Sequence, residues 1–285
     1  MKLAWIADYD HTQHPGGAQL TNRIMLENAP LKIDKFTHEN IKKINLKKYD
    51  LLILNNVLSL PDKLLRNIIE HSNYIKYEHD WQGITDFKKK FPDIYKNSRL
   101  NIFLSPFALN VYSANGLLPA GEGNCVCVSS PIESFFDIKI PEKDRRPAGQ
   151  AIYTGELVPH KVAGLIDWAR GEGKDYTVEL YGSDHGCLKE VRAVDNLRYM
   201  GRCQHKDLNM IYNQYRTFVH FPRAEPFGRT VAEAYLCGCK LLTNQRVGFL
   251  SYDWDYGDYG SIREKLCEKA PRLFWKHIES VLKKL

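Results

Sequence analysis

His220-Phe-Pro-Arg-Ala-Glu225-Pro-Phe-Gly228-Arg-Thr-Val-Ala-Glu233-Ala-Tyr-Leu-Cys-Gly238-Cys-Lys-Leu-Leu242 is the stretch on which the fold turns. It opens at the end of an apolar, β-prone run, Thr217 to His220. It passes through a loop carrying Pro222, Pro226 and Gly228, and continues as small and apolar residues from Arg229 to Leu236. After Gly238 a second apolar run, Lys240 to Thr243, begins. Strand, loop, helix and strand in that order make one unit of a parallel sheet. At the helix start the amides of Phe227, Gly228 and Arg229 have no partner within the helix, so they offer an anion or hydroxyl site. Glu225 stands just ahead of them and Glu233 about one turn further along. Two carboxylates so placed accept hydrogen bonds from several vicinal hydroxyls, which is what a sugar and a ribose present.

Outward from this stretch the same alternation recurs. In the first half strands are predicted near Leu3–Ala7, Asp50–Leu54, Tyr74–Tyr77, Ile102–Leu104 and Cys125–Val128, with helices near Ala18–Asn28, Asp62–His71 and Pro106–Asn115. The polar segment from Ile140 to Gln150, with Pro141 and Pro147, reads as an interdomain linker. The pattern then restarts with strands near Ala151–Thr154, Tyr176–Tyr181, Leu197–Tyr199, Thr217–His220 and Lys240–Thr243, and helices near Lys161–Arg170, Lys206–Asn213 and Arg229–Leu236. Two Rossmann-like α/β domains facing one another across a cleft are expected, 1–144 and 145–262, followed by a tail helix over 263–285 that crosses back to the first domain and that Pro271 kinks or divides.

The 285 residues are a little under two domains at the usual ~150 each. Apolar residues at 44% and charged residues at 26% exclude disordered, collagen-like and coiled-coil classes. No run reaches the ~18 to 20 apolar residues of a membrane span, and Met1 to Asp8 reads as a buried first strand rather than a signal peptide. Seven cysteines, an odd number without zinc-site spacing, read as reduced thiols of a cytoplasmic protein. The 40 basic and 34 acidic side chains give +6. Residues 1–144 hold 18 and 17 of them, net +1, and 145–285 hold 22 and 17, net +5; within the latter, 263–285 hold seven and three, net +4. A basic second half suits an anionic nucleotide, whereas a nearly neutral first half argues against a nucleic-acid groove. The basic face of the tail, with Phe274 and Trp275, is suited to peripheral contact with an anionic membrane.

The combination of Glu225, the Pro-Phe-Gly turn, the small-residue helix with Glu233 and the Cys-Gly-Cys segment resembles the retaining glycosyltransferases of family four, which have the GT-B fold. The resemblance implies that Glu225 contacts donor-sugar hydroxyls, that Phe227 and Gly228 hold the sugar through their amides, and that Glu233 binds the nucleotide ribose. Gly16-Gly17-Ala-Gln19 is similar to the family's Gly-Gly-Ala-Glu turn, with Gln19 in place of glutamate, near donor phosphates and acceptor. Tyr77-Glu-His79-Asp80-Trp81 is similar to its N-domain histidine site. Tyr153-Thr-Gly155-Glu156-Leu-Val-Pro-His-Lys161 resembles its Gly-Arg-x-x-x-x-Lys donor-phosphate motif, and Val178–Gly182 and Leu197–Arg202 resemble its next two strands. The likeness covers most of the chain.

One departure stands out: Glu156 occupies the place of the phosphate-clamping arginine, while Lys161 is kept. A carboxylate beside a diphosphate is repulsive, and a lost charge-assisted contact is worth about 1.5 to 3 kcal/mol. Arg202, Arg223 and Arg229 are the candidates to supply the missing charge. The resemblance implies metal-independent transfer from a nucleotide diphosphate sugar to a hydroxyl of a glycan or lipid-linked glycan, with donor in the second domain and acceptor in the first. No cofactor is expected. On this resemblance Lys161, helped by an arginine, would stabilise the departing diphosphate, the glutamates would position rather than react, and attack would come on the leaving-group face. Two Asp-x-Asp pairs, Asp8/Asp10 and Asp253/Asp255, spell a metal motif of a different glycosyltransferase fold and are set aside. The rival readings are a sugar-nucleotide epimerase and a nucleotide-sugar-binding protein that lost turnover with the arginine.

Overall fold

The computed structural model describes residues 1–12, 16–118 and 124–285. They divide into two compact units, 1–131 with 260–285, and 132–259.

The first unit is built on a parallel sheet of β1 (Leu3–Ile6), β2 (Ile33–Phe36), β3 (Leu51–Leu54), β4 (Tyr74–Glu78), β5 (Leu100–Phe103) and β6 (Cys125–Cys127), in the order β2-β1-β3-β4-β5-β6. Helices α1 (Gly17–Glu27), α2 (Asp62–His71), α3 (Lys88–Lys90) and α4 (Pro106–Ala114) connect them. The strands β1 and β3 are wholly buried, as their apolar sequences demand. Sequence periodicity misses β2, because Ile-Asp-Lys-Phe is a half-exposed edge strand with a polar middle. The core face also holds a charge pair: Lys76 and Glu78 lie 3.2 Å apart and fully buried. Lys76 Nζ donates to the Asn55 carbonyl at 2.9 Å, and the Tyr95 hydroxyl donates to Glu78.

The second unit carries β7 (Gln150–Thr154), β8 (Thr177–Tyr181), β9 (Leu197–Gly201), β10 (Thr217–His220) and β11 (Lys240–Thr243), in the order β11-β10-β7-β8-β9, again all parallel. Between them run α5 (Pro159–Arg170), α6 (Leu188–Arg192), α7 (Leu208–Asn213) and α8 (Arg229–Leu236). The chain moves from β7 through β8 to β9 on one side, then returns to the other side of β7 with β10 and β11. The strand order therefore reverses between β7 and β10, and in open α/β sheets ligands bind at that switch, beyond the carboxyl ends of the strands.

The expected linker is corrected here. The units part between Pro131 and Ile132, and residues 140–150 belong to the second unit. Arg145, one of the charges that made the segment look solvated, is buried: its guanidinium donates to the carbonyls of Ile140 and Tyr215 and to Asn213 Oδ1. Asn213 in turn accepts from the amides of Lys139 and Ile140 and donates to the Asp137 carbonyl, which binds the stretch after Pro131 to α7. The tail forms α9 (Tyr259–Glu264), a π-helical turn over Lys265–Lys269 and α10 (Ala270–Leu282). Pro271 lies in the first turn of α10, but the chain ahead of it is already helical, so its missing N–H takes one bond out of a continuous run, and the irregular turn falls just before it. From Gly260 onward the tail belongs to the first unit: Phe274 packs on Trp5 and Tyr77, and the Trp275 indole donates to the Met25 carbonyl at 2.8 Å.

Candidate functional site

Two loops flank the switch between β7 and β10. After β7 the chain turns through Gly155, whose φ of +139° favours glycine, and enters α5 at Pro159 with Lys161 in the first turn. After β10 it runs through Phe221 and Pro222 to Glu225. The two loops are tied together, since the Arg223 amide donates to the His160 carbonyl at 2.8 Å. They also touch tightly, because a Cβ on Gly164 in α5 would come within 2.2 Å of the Phe221 carbonyl oxygen. The second loop is braced from its other side by Val247: the Glu225 amide donates to Arg246, and the Gly248 and Phe249 amides donate to the carbonyls of Glu225 and Phe227.

This frame brings Lys161 Nζ to 3.4 Å from Glu225 Oε1, both side chains largely buried. Burial pushes the Glu225 carboxyl up, but the Lys161 charge and the nearby His220 outweigh it and hold its pKa at about 2. It is thus a permanent carboxylate that accepts hydrogen bonds and delivers no proton near neutrality.

Gly228 caps α8 in the left-handed region, φ +85°, and a Cβ there would meet Val247 Cγ1 at 2.7 Å. The tight turn allows α8 to start directly beside Glu225. Phe227 is buried against Phe249, so only its backbone is available to a ligand. One turn into the helix Glu233 is 2% exposed. Burial raises its carboxyl pKa, yet His205, Arg229 and Tyr212 together bring it below the ordinary value. His205 Nε2 lies 3.5 Å and Arg229 Nη2 3.3 Å from Glu233 Oε1, and the Tyr212 hydroxyl donates to Oε2 at 3.4 Å.

Arg229, one of the three arginines expected to supply the missing charge, is engaged by carboxylates. Its guanidinium is buried and bound to two carboxylates, Glu133 at 2.6 Å and Glu233 at 3.3 Å. Glu133, His205 and Glu233 also form the one group of three metal-capable side chains among the described residues. Arg229 already takes the place between the carboxylates that a cation would need. Arg202 and Arg223 are exposed and make no ion pair among the described residues. Glu156 is 59% exposed and its carboxylate lies 4.0 Å from His185.

In the first unit the order β2-β1-β3 puts the corresponding reversal between β1 and β3. Asp8 after β1 accepts from the Leu58 and Ser59 amides at 3.0 and 2.8 Å, joining the two loops there. Gly16 caps α1 and Gly17 begins it; a Cβ on Gly16 would come within 2.7 Å of Gln19 Oε1. His79, just after β4, is buried against Tyr77 with Nε2 3.1 Å from Asn55 Oδ1.

No family model and no curated protein matches the sequence at a significant level. Solved structures do match over the whole chain. Anabaena HepE, in complex with UDP and glucose, superposes with a TM-score of 0.73 at 15% identity, covering 100% of both chains. Sucrose-phosphate synthase from Thermosynechococcus elongatus gives 0.72 at 15% identity, again over 100% of both. The lipopolysaccharide outer core galactosyltransferase WaaB in its apo form gives 0.68 at 16% identity and full coverage of both.

The chain has the GT-B fold.

Within this GT-B chain the residues expected from the sequence fall into two groups. Lys161, Arg223, Glu225, Phe227, Gly228, Arg229 and Glu233 all belong to the loops and helices at the β7/β10 switch of the second unit, with Arg202 in the same unit just after β9, whereas Gly16, Gly17 and His79 belong to the first. His220, His205, Tyr212 and Glu133 escape the sequence reading. Of these only His220 leaves a trace there, as the single polar residue ending the apolar run Thr-Phe-Val-His.

Proposed function

We propose that this protein is a retaining glycosyltransferase that moves a sugar from a nucleotide diphosphate sugar to an acceptor hydroxyl. The observation that carries the reading is the Lys161–Glu225 pair on the two loops that flank the switch point. Lys161 supplies positive charge for a departing diphosphate, and the permanently ionised Glu225 accepts hydrogen bonds from sugar hydroxyls without competing for the proton in flight. Gly228 starts α8 three residues after Glu225, so the first amides of the helix are assigned to the sugar as well, and Glu233 is the acceptor for ribose hydroxyls. The donor is a nucleotide sugar, and a uridine base is favoured by the UDP, UDP with glucose, and UDP-glucose complexes of HepE.

The same reading assigns acceptor recognition to the first unit, through Gly16, Gly17 and His79, with a glycan or lipid-linked glycan as acceptor. With Glu225 engaged by Lys161, the reading gives this carboxylate a positioning role and lets the leaving phosphate take the acceptor proton. Arg229 between Glu133 and Glu233 supports a reaction without a metal, and no cofactor is required. Among the described residues no helix is long and apolar enough to cross a membrane. Phe274 and Trp275, the aromatic residues expected at a bilayer, are buried in the first unit and cannot supply that contact; the exposed side chains of Arg272, Lys276, Lys283 and Lys284, with Leu273 and Leu285, are what supports peripheral contact of a cytoplasmic protein with an anionic bilayer.

A thermal-shift panel of UDP-, GDP-, ADP- and TDP-glucose tests the reading. A donor at 100 times its Kd adds ~2.7 kcal/mol of stability. A panel in which no nucleotide sugar shifts the transition contradicts it.

A further inference from the structure

The last residue of β10 is a histidine with 2% of its side chain exposed, and among the described residues neither ring nitrogen has a hydrogen-bond partner. Facing it, Glu225 Oε2 is buried and equally without one. His220 Nε2 and this oxygen are 3.7 Å apart, beyond hydrogen-bond reach but within a sub-ångström adjustment of it. Buried polar atoms are almost always paired, so two that face each other across such a gap describe a contact made in another state of the site.

The imidazole is held in place. Tyr153 stacks on it with centroids 5.7 Å apart and planes at 29°, and Phe218 lies at 6.2 Å. The backbone of Glu225 is also fixed, by the bonds to Arg246 and Gly248. What remains free is rotation of the Glu225 carboxylate, whose other oxygen meets Lys161 at 3.4 Å, a long contact for a charged pair.

We infer that His220 is a positioning residue for Glu225 in sugar recognition: when sugar hydroxyls approach, the carboxylate turns so that Oε2 accepts from His220 Nε2–H and Oε1 accepts from the sugar. A carboxylate only accepts, which fixes the proton on the nitrogen facing it. The inference rests on the function proposed above. It adds that recognition of the sugar, and not of the nucleotide, runs through a buried side chain that itself touches no ligand.

Two variants and two readouts test it. His220→Phe keeps the bulk and the stacking but removes the donor, whereas His220→Gln returns an N–H at the height of Nε2. With UDP and UDP-glucose as probes, His220→Phe weakens UDP-glucose binding about tenfold, the scale of one charge-assisted hydrogen bond. UDP stays within about twofold, and His220→Gln restores most of the loss. In the free protein, carboxyl 13C titration places Glu225 higher in His220→Phe than in the native chain. An unchanged Glu225 titration, or equal losses for UDP and UDP-glucose, overturns the inference. The titration needs no ligand, so it tests the coupling of His220 to Glu225 across the 3.7 Å gap even where every nucleotide sugar fails to bind and the proposed function falls.

Discussion

Lys161 and Glu225, 64 positions apart in the chain, meet at 3.4 Å because the strands that launch their loops, β7 and β10, are neighbours in the sheet although β8 and β9 intervene in sequence. The pair is therefore a product of topology. Its electrostatics give a pH prediction with a definite sign. The Glu225 carboxyl falls from an ordinary 4.5 to about 2 on folding. Its contribution to stability is complete above 4.5 and is lost as pH falls towards 2. Urea unfolding at pH 5.5 and 3.0 should show a loss on the order of 2 kcal/mol that Glu225→Gln abolishes. Equal pH slopes in the two proteins would contradict the pairing.

Asp80 should show the opposite slope. Burial, and then the charge of Glu78, lift its carboxyl from 3.8 to about 7, against the Gln82 amide, Lys76 and Asn56. A carboxyl whose pKa rises on folding is easiest to accommodate protonated, so stability declines as pH rises from about 4 to about 7 and is flat beyond. Relative to Asp80→Asn, the native protein should lose on the order of 2 kcal/mol between pH 5 and pH 8. A constant difference between the two proteins would show that Asp80 ionises freely.

Gly228 is the backbone hinge of the site. Gly228→Ala meets both the left-handed φ, at about 1 to 2 kcal/mol, and the overlap with Val247. The melting temperature should fall, and nucleotide affinity should fall beyond what the lost stability explains, because the first amides of α8 are displaced. Native-like UDP binding in a destabilised variant would place the ligand elsewhere.

Glu156 is exposed at 59% beside His185, where a longer cationic side chain has room. Glu156→Arg should tighten UDP binding about tenfold, by exchanging a repulsive charge for a bidentate donor. Weaker binding after the exchange would give the glutamate a role of its own.

Much of this was legible in the sequence, for identifiable reasons. Thr217–His220, Lys240–Thr243, Asp62–His71 and Arg229–Leu236 have the predicted bounds, since each is an uninterrupted apolar or amphipathic run closed by proline, glycine or a polar residue. The edge strand β2 and the short α6 lack such patterning. Residues 140–150 misled because composition cannot tell a solvated arginine from Arg145, whose partners lie up to 70 positions away. The local motifs singled out Glu225, Gly228 and Lys161, which the fold brings to the β7/β10 switch. Glu133 could not be read, because its bond to Arg229 spans 96 residues and no motif surrounds it. His220 was visible only as a polar residue at a strand end, and its meaning depends on the Glu225 oxygen that faces it.

The central claim, that the Lys161–Glu225 site withdraws a sugar from a nucleotide diphosphate, is tested most directly by release of the nucleotide diphosphate. The native protein and Lys161→Ala would be incubated with the panel of nucleotide sugars, and free diphosphate followed with time. Turnover of at least one donor is expected, reduced about a hundredfold in Lys161→Ala, the scale of removing one charge-stabilising donor. Release by no donor, or equal release by both proteins, would contradict the account.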